Sequence, residues 1–428
     1  MKAGKWMTAR EALRRAIRPG DRIFFPIAAA QPQTLLQALA DDFESYHNVE
    51  VINGYLLAPH PLAKKGLQSS FRCISLQNSP AVKEAWKEGR IEFLPVRYSD
   101  IPRIFSPEGP RPVDVAFIQV APADREGCFS LGASTSLAYP IAKGARRVVA
   151  EVNDRAPRTF GPCFFRADEI DFFVECSVPL IPYPEIRITE AERRIAALVA
   201  EIIPDGATLQ MGIGNLPAAI LECLEGKKDL GIHSGMLSDG IADLAEKGVI
   251  NNRKKNIFPG KIITGELIGT ERLNRFGHAN PLLEMHPADV THNAQLIGQN
   301  DHFVAINSAV EIDLAGQINA EALNGVQISG VGGQFDFVEA AYFSRGGRSI
   351  TAFLSSAGAG KVSRIVSRLG AVAVATVPRY MTDIVVTEYG VAELRGKTLA
   401  QRAEALVAIA HPSFRDSLWE AFAMRREP

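Results

Sequence analysis

Residues 207–226 read ATLQMGIGNLPAAILECLEG: a short apolar run, two glycines around an isoleucine, then apolar residues at helical spacing. The run ATLQM suits a buried strand, and Gly212 and Gly214 let the chain turn sharply behind it. Asn215 is placed to cap the following helix, Pro217 fits its first turn, and Leu216, Ile220, Cys223 and Leu224 share one face. Strand, glycine turn and helix in that order make the βα unit of a parallel sheet.

The same alternation runs outward in both directions. Upstream lie DRIFFPIA (21–28), VEVINGYLL (49–57), IEFLPVRY (91–98) and VDVAFIQVAP (113–122), with Leu35, Leu36, Leu39 and Phe43 marking a helix after the first. Downstream lie DLGIHS (229–234), KIITGELI (261–268), HFVAINSAVEIDL (302–314), RSITAFLSS (348–356) and TDIVVTEYG (382–390). This predicts an α/β fold of two similar α/β/α domains with mostly parallel sheets, because 428 residues exceed what one hydrophobic core ordinarily holds.

The halves also resemble each other. Gly20, Ile23, Ile27 and Ala28 match Gly206, Leu209, Ile213 and Gly214 at one offset, and Asp124, Gly127 and Phe129 are echoed by Asp313, Gly316 and Ile318 at nearly the same one. Between them, SVPLIPYPEIRI (177–188) holds three prolines and leads into the amphipathic helix ITEAERRIAALVAEII (188–203). The expected domains are therefore 1–187 and 188–428. Where the first copy has Ile27-Ala28-Ala29, the second has Gly212-Ile213-Gly214, so the glycines belong to the second copy alone.

Composition removes several function classes. A net charge of −1 without a dense Lys/Arg run argues against nucleic acid as a partner. No apolar stretch reaches signal-peptide or membrane-spanning length, which leads to the expectation of a cytoplasmic protein that does not engage a membrane. The five cysteines are dispersed without CxxC spacing and are expected to be buried reduced thiols, and the eight histidines form no HExxH pair, so no metal is expected.

Three loops in the second half carry binding chemistry. Gly212, Ile213, Gly214, Asn215 and Leu216 present backbone N–H groups at a helix N-terminus, where negative charge is favoured. The segment 327–337, QISGVGGQFDF, packs Gly330, Gly332 and Gly333 ahead of a helix, with Gln334 and Asp336 offering polar side chains. In SITAFLSSAGAGKVSRIV (349–366), Gly360 and Lys361 superficially resemble a P-loop, yet Ser355 takes the first glycine position and Val362 replaces the Mg²⁺-binding hydroxyl. A nicotinamide fingerprint is also disfavoured, since GxGxxP stands for GxGxxG and DLGIHS brings no acid for a ribose, so no nucleotide cofactor is expected. What remains is a large anionic ligand held by backbone donors and one or two cations, a description that fits coenzyme A.

With GIGNLP, HSGMLSDG, ISGVGGQFDF, SSAGAGKVSRI and VVTEYGVAELRGKTL in this order, the chain resembles the acetyl-CoA hydrolase/transferase family, including 4-hydroxybutyrate and butyrate:acetate CoA-transferases. The resemblance implies the class I CoA-transferase fold, a CoA site mainly in the second domain, and a homodimer. It implies transfer of CoA from an acyl-CoA to a small carboxylic acid through an acyl-glutamyl anhydride and a glutamyl-CoA thioester. It places Val310, Gly333 and Lys361 among the CoA contacts, beside the GIGNL backbone.

One departure stands out. The family motif H-[ST]-E-x-x-x-D-G reads His233-Ser234-Gly235-Met236-Leu237-Ser238-Asp239-Gly240, with glycine in the nucleophile position. Glu266, in a segment where the family pattern carries an aromatic or aliphatic residue, is the candidate for a relocated nucleophile, because a carboxylate on an apolar strand is costly unless it is paired or functional. Glu284, Glu311, Glu321 and Glu388 are weaker candidates, Glu388 being read as structural. Direct hydrolysis of acyl-CoA by water, or CoA binding without turnover, are the alternatives if none of these serves.

Overall fold

The computed structural model describes residues 5–424. They divide into two units: residues 5–184 with 235–239 and 261–292 form the first, and the remaining described segments the second. The chain thus first crosses at Pro184–Glu185, inside the proline-rich segment, but the second half is not one block. The strand residues of KIITGELI, expected in the second domain, belong to the first unit.

The first unit is built on an eight-stranded sheet: β1 (Lys5–Trp6), β2 (Arg22–Phe24), β3 (Val49–Asn53), β4 (Phe71–Ser75), β5 (Ile91–Phe93), β6 (Val115–Val120), β7 (Arg147–Asn153) and β8 (Phe172–Cys176). The spatial order is β1-β8-β7-β6-β2-β3-β4-β5, and every pairing is parallel. A parallel sheet needs both faces covered, which is why β6, VAFIQV, is buried at all six positions. Helices α1 (Ala9–Ala16) and α2 (Gln33–Asp41) supply Leu13, Leu35, Leu36 and Leu39 to the core around Ile23, Val51, Val115 and Val149. Fully burying each such side chain is worth about 1.5–3 kcal/mol. Phe43, expected on the same helix face, falls in a 3₁₀ turn and only packs against this cluster from its margin.

The second unit carries β9 (Thr208–Met211), β10 (Gly231–Ile232), β11 (Phe303–Asn307), β12 (Arg348–Ala352), β13 (Ile384–Thr387) and β14 (Gly390–Glu393), ordered β10-β9-β11-β12-β13-β14. Only β14 is antiparallel to its neighbour. Reading β3-β2-β6-β7-β8 against β10-β9-β11-β12-β13 shows the same topology twice, as the sequence repeat suggested. The repeat extends to hydrogen bonds. Asp124 Oδ1 accepts from the N–H groups of Glu126 and Cys128, and Asp313 Oδ1 from those of Ala315 and Gln317. In each loop a glycine in the left-handed region, Gly127 or Gly316, donates to the aspartate's own carbonyl.

Helix α3 (Glu190–Ile202) starts at a capping box in which Thr189 and Glu192 satisfy each other's backbone N–H, and it buries Ile195, Ala196 and Val199. Helix α4 (Asn215–Cys223) departs from expectation in two ways. Its N-cap is Gly214, at φ 111°, and Asn215 is the first helical residue instead, its Oδ1 accepting from Arg187 N–H. Its buried face is Ala219, Ile220, Leu221 and Leu224, with Leu216 half-buried and Cys223 exposed, because Leu221 packs against the following helical segment, within 2.9 Å of where a Cβ on Gly240 would lie. The cysteine expectation is corrected with it: Cys73 and Cys163 are buried, Cys128 and Cys176 half-buried and Cys223 exposed, all unbridged. Among the described residues no helix is long and apolar enough to cross a membrane.

Thr189→Ala removes one side of the α3 capping box and should cost about 1 kcal/mol, read as a lower urea midpoint with an unchanged m-value. An unchanged midpoint would mean that the cap contributes nothing to α3.

Candidate functional site

In the second unit, the parallel order β9-β11-β12 sets three loops side by side at the carboxyl edge of the sheet, where open α/β sheets bind ligands. The loop after β9 holds Gly212, Ile213 and Gly214 and enters α4 through Asn215 and Leu216, all half-buried. The loop after β11 reaches Val310, whose N–H donates to Asn319 O and whose carbonyl accepts from Arg364 Nε at 2.7 Å. The Val310 N–H is therefore occupied within the loop.

Helix α5 (Gln334–Phe343) begins directly behind Gly332 and Gly333, and Gln334 Nε2 reaches Ser308 O at 3.2 Å, joining this loop to the one after β11. Asp336 is fully buried, so its carboxylate is not a ligand-facing group; it lies on the packed side of the first turn. After β12 the chain does not form a P-loop. Ser356–Ala357 and Val362–Ser363 pair as a hairpin whose tip, Gly358, Ala359 and Gly360, holds three successive left-handed residues, and Lys361 stands exposed beside it. Arg364 ties this hairpin back to Ala309 and Val310. The structure thus brings the three sequence-predicted loops of this unit to one sheet edge, with Asp336 turned into the core.

Glu266 belongs to the first unit. Its segment forms two short parallel pairings in succession, Ile262–Thr264 with Leu283–Met285 and Glu266–Leu267 with Met236–Leu237, with Gly265 between them. Gly265 N–H donates to Gly235 O at 3.2 Å, and Met236 is the register partner of Glu266. The backbone at the glycine of the HSG motif is therefore hydrogen-bonded to the residue preceding Glu266. On the other side, Ser134 bridges to Glu266, and the N–H and hydroxyl of Thr135 both donate to Gly265 O, at 2.9 and 3.1 Å. Glycine is required at 265 because a Cβ there would lie 2.5 Å from Ser136 Cβ.

This close approach delivers Ser136 to the carboxyl group: its hydroxyl donates to Glu266 Oε1. The Tyr98 hydroxyl is 2.6 Å from Ser136 Oγ, and the Tyr98 ring stacks on His292 with centroids 4.0 Å apart. Tyr98, Ser134, Ser136 and His292 are all buried. Glu266 is 1% exposed, and its Oε2 has no hydrogen-bond partner. The Ser134 hydroxyl also acts on the carboxylate and favours its ionised form.

Burial pushes the Glu266 carboxyl up to about 8, against the opposing pull of the Ser134, Ser136 and Tyr98 hydroxyls. Tyr98 is raised well above its ordinary value by burial and by Glu266, and Cys163, which also senses Glu266, is raised by burial with Asp289 adding to the effect and Lys143 opposing it. His292 is pushed down to about 3 by burial and stays neutral. No cation is among the groups that set the Glu266 carboxyl, and its burial with one unpartnered oxygen is what separates it from the other candidates.

Glu284 is paired with Lys261 and His286, Glu311 accepts from Asn319, and Glu321 accepts from Thr376 and Gln327. Glu388 holds both the N–H and the hydroxyl of Ser355 at 2.8 Å, a structural role consistent with its reading from sequence. Sequence reasoning missed Tyr98, Ser134 and Ser136. The hydroxyl-rich run Ser134-Thr135-Ser136 was the available signal, but nothing local ties it to a strand more than a hundred residues away.

The acetyl-CoA hydrolase/transferase N-terminal domain profile matches residues 3–182 and its C-terminal counterpart residues 269–422. The 4-hydroxybutyrate coenzyme A transferase of Clostridium kluyveri is 43% identical over 98% of this chain and 98% of its own length. The succinyl-CoA:cyclohexane-1-carboxylate CoA transferase of Geobacter metallireducens is 38% identical over 95% of this chain and 92% of its own. The crystal structure of RipA from Yersinia pestis superposes with a TM-score of 0.92 at 32% identity, covering 99% of this chain and 97% of its own.

The raised Glu266 carboxyl has a signed consequence for stability. Between its ordinary value of 4.5 and about 8 the folded state holds a proton that the unfolded state releases, so this contribution is full below 4.5 and is lost as pH rises through 8. Glu266→Gln, which keeps the shape without the charge, should match the wild type near pH 4.5 and exceed it by a few kcal/mol (roughly) near pH 8. Chemical denaturation at both pH values checks this. A difference independent of pH would show that the carboxyl is not displaced by burial.

Proposed function

Because the chain belongs to the acetyl-CoA hydrolase/transferase family, we propose that it moves CoA between an acyl-CoA and a short-chain carboxylic acid, with Glu266 carrying the acyl and CoA groups in turn. The observation that carries this reading is the buried Glu266 carboxyl, without a cation and with one free oxygen, on the strand bonded to the Gly235 segment. A carboxyl kept in such a place costs stability, and that cost is the usual mark of a functional group.

In this reading Glu266, once ionised, attacks the acyl-CoA carbonyl and expels CoA thiolate. The thiolate then attacks the glutamyl carbonyl of the mixed anhydride, releasing the first acid and leaving a glutamyl-CoA thioester. The incoming acid reverses both steps. Anhydride and thioester are of comparable reactivity, so neither half-reaction is a thermodynamic trap. Ionisation at about 8 and uncovering of Oε2 both precede attack, which makes the nucleophile scarce at neutral pH but intrinsically strong.

The CoA moiety is assigned to the loops of the second unit: the backbone of Gly212, Ile213, Gly214, Asn215 and Leu216, the Val310 side chain, the turn Gly332-Gly333-Gln334, and Gly360 with Lys361. Lys361, exposed and on a hairpin tip, suits a phosphate of CoA, and the first-turn donors of α4 suit the pantetheine and thioester end. Acceptor acids within this reading are acetate, butyrate, 4-hydroxybutyrate or a small dicarboxylate, acting in the cytoplasm on a homodimer.

The test is an exchange assay with short-chain acyl-CoAs, with and without acceptor acid. Ping-pong kinetics and dependence on the acceptor are expected, and Glu266→Gln should lower kcat by about 10³-fold or more. Below pH 8 the wild-type kcat/KM should rise about tenfold per pH unit and then level. Consumption of acyl-CoA that needs no acceptor would replace transfer with hydrolysis, and full activity in Glu266→Gln would remove Glu266 from the mechanism.

A further inference from the structure

The two oxygens of Glu266 are not equivalent. Oε1 accepts from the Ser136 hydroxyl, which is itself 2.6 Å from the Tyr98 hydroxyl, whereas Oε2 is buried without a partner. Since Ser136 spends its proton on Glu266, the Tyr98 O–H is the donor to Ser136 Oγ. Tyr98 is fixed in turn by its stack on His292, and Ser136 by the close approach of Gly265 and by Ala288 N–H donating to its carbonyl at 2.9 Å. The chain Tyr98, Ser136, Oε1 therefore ends on one chosen oxygen.

Building on the assignment of Glu266 as nucleophile, we propose that Ser136 is a further catalytic residue, which pins Oε1 so that Oε2 alone makes and breaks bonds, and which donates to the oxyanion formed on Oε1. Tyr98 is a positioning residue that acts through Ser136 and by the pull of its own hydroxyl on the carboxyl.

Oε2 attacks the acyl carbonyl, the C–S bond breaks and CoA leaves as thiolate, so Oε2 becomes the bridging oxygen of the anhydride. The thiolate attacks Cδ of Glu266, and negative charge grows on Oε1, to which the Ser136 O–H is already directed. Collapse breaks the Cδ–Oε2 bond, and the first acid departs as carboxylate with Oε2. The second acid attacks the glutamyl thioester, again placing charge on Oε1, and thiolate leaves. The thiolate then attacks the new acyl carbonyl, releasing the product acyl-CoA and leaving one oxygen of the second acid on Glu266 in place of Oε2. An oxyanion donor already in position needs no reorganisation as charge develops, which is where such groups act most strongly.

Pinning makes a countable prediction. The protein is turned over with a short-chain acyl-CoA and the matching acid carrying ¹⁸O in both carboxylate oxygens, and the Glu266 peptide is weighed after several turnovers. One exchanged oxygen, a gain of about 2 Da, is expected in the wild type, while Ser136→Ala should go on to about 4 Da as the freed carboxylate rotates. Ser136→Ala should also slow thioester formation in a single turnover by about 10²–10³-fold, and Tyr98→Phe, which keeps the ring on His292, should slow it less. Both variants lose groups that favour the ionised carboxyl, so the acidic limb of kcat/KM moves to higher pH in each. A merely structural role for Ser136 or Tyr98 would move neither the isotope count nor that limb. Prompt gain of about 4 Da in the wild type, or unchanged rates and pH limb in Tyr98→Phe together with Ser136→Ala, would overturn the roles of Ser136 and Tyr98 while leaving Glu266 as nucleophile. Turnover with no isotope on Glu266 would instead overturn the nucleophile assignment, and the proposal with it.

Discussion

Everything distinctive about this chain follows from one uncompensated group, the Glu266 carboxyl. Taking an ionised carboxylate out of water without a cation costs several kcal/mol (roughly), so the fold keeps it protonated near neutrality and surrounds it with hydroxyls. Gly265 has to be glycine so that Ser136 can come close, and Thr135 has to hold Gly265 O so that the strand stays in register with Met236. The local backbone is arranged around a side chain that, by stability alone, an apolar residue would serve better.

The duplicated architecture shows how one topology supports two different loop chemistries. Gly20 and Gly206 adopt the same left-handed turn ahead of β2 and β9, and the loops at Asp124 and Asp313 share their hydrogen bonds one for one. At the carboxyl ends of those strands the copies part. Gly214 sits at φ 111° and ψ −173°, while its counterpart Ala28 holds the left-handed φ of 52° despite its Cβ. A left-handed alanine costs on the order of 1 kcal/mol or more, so the first unit makes its turn here without the residue that would make it easy. The second unit has glycine at this position, where the first has alanine.

How much of this was readable from sequence depended on whether the deciding contact was local. The strand-glycine-helix pattern at 207–226, the helix at 190–202 and the repeat were all legible, since each rests on spacing within a few turns of chain. Four strands of the first sheet, β1, β4, β7 and β8, were not singled out. Lys5–Trp6 is too short to show a period, and FRCIS and RVVAEVN mix charged residues into strands whose burial comes from the neighbouring strands. Glu266 was found because a charge interrupts an apolar run. Its partners were not, because Ser136 and Tyr98 are 130 and more residues away in sequence and meet it only through the crossing of the chain back into the first unit.

The account stands or falls on whether CoA becomes covalently attached to Glu266. The most direct measurement is peptide mass spectrometry after mixing the protein with short-chain acyl-CoAs and borohydride, which reduces a glutamyl thioester to the alcohol. The account predicts a loss of about 14 Da confined to Glu266. Acyl-CoA consumed with every glutamate unmodified, or the loss found on another glutamate, would contradict it.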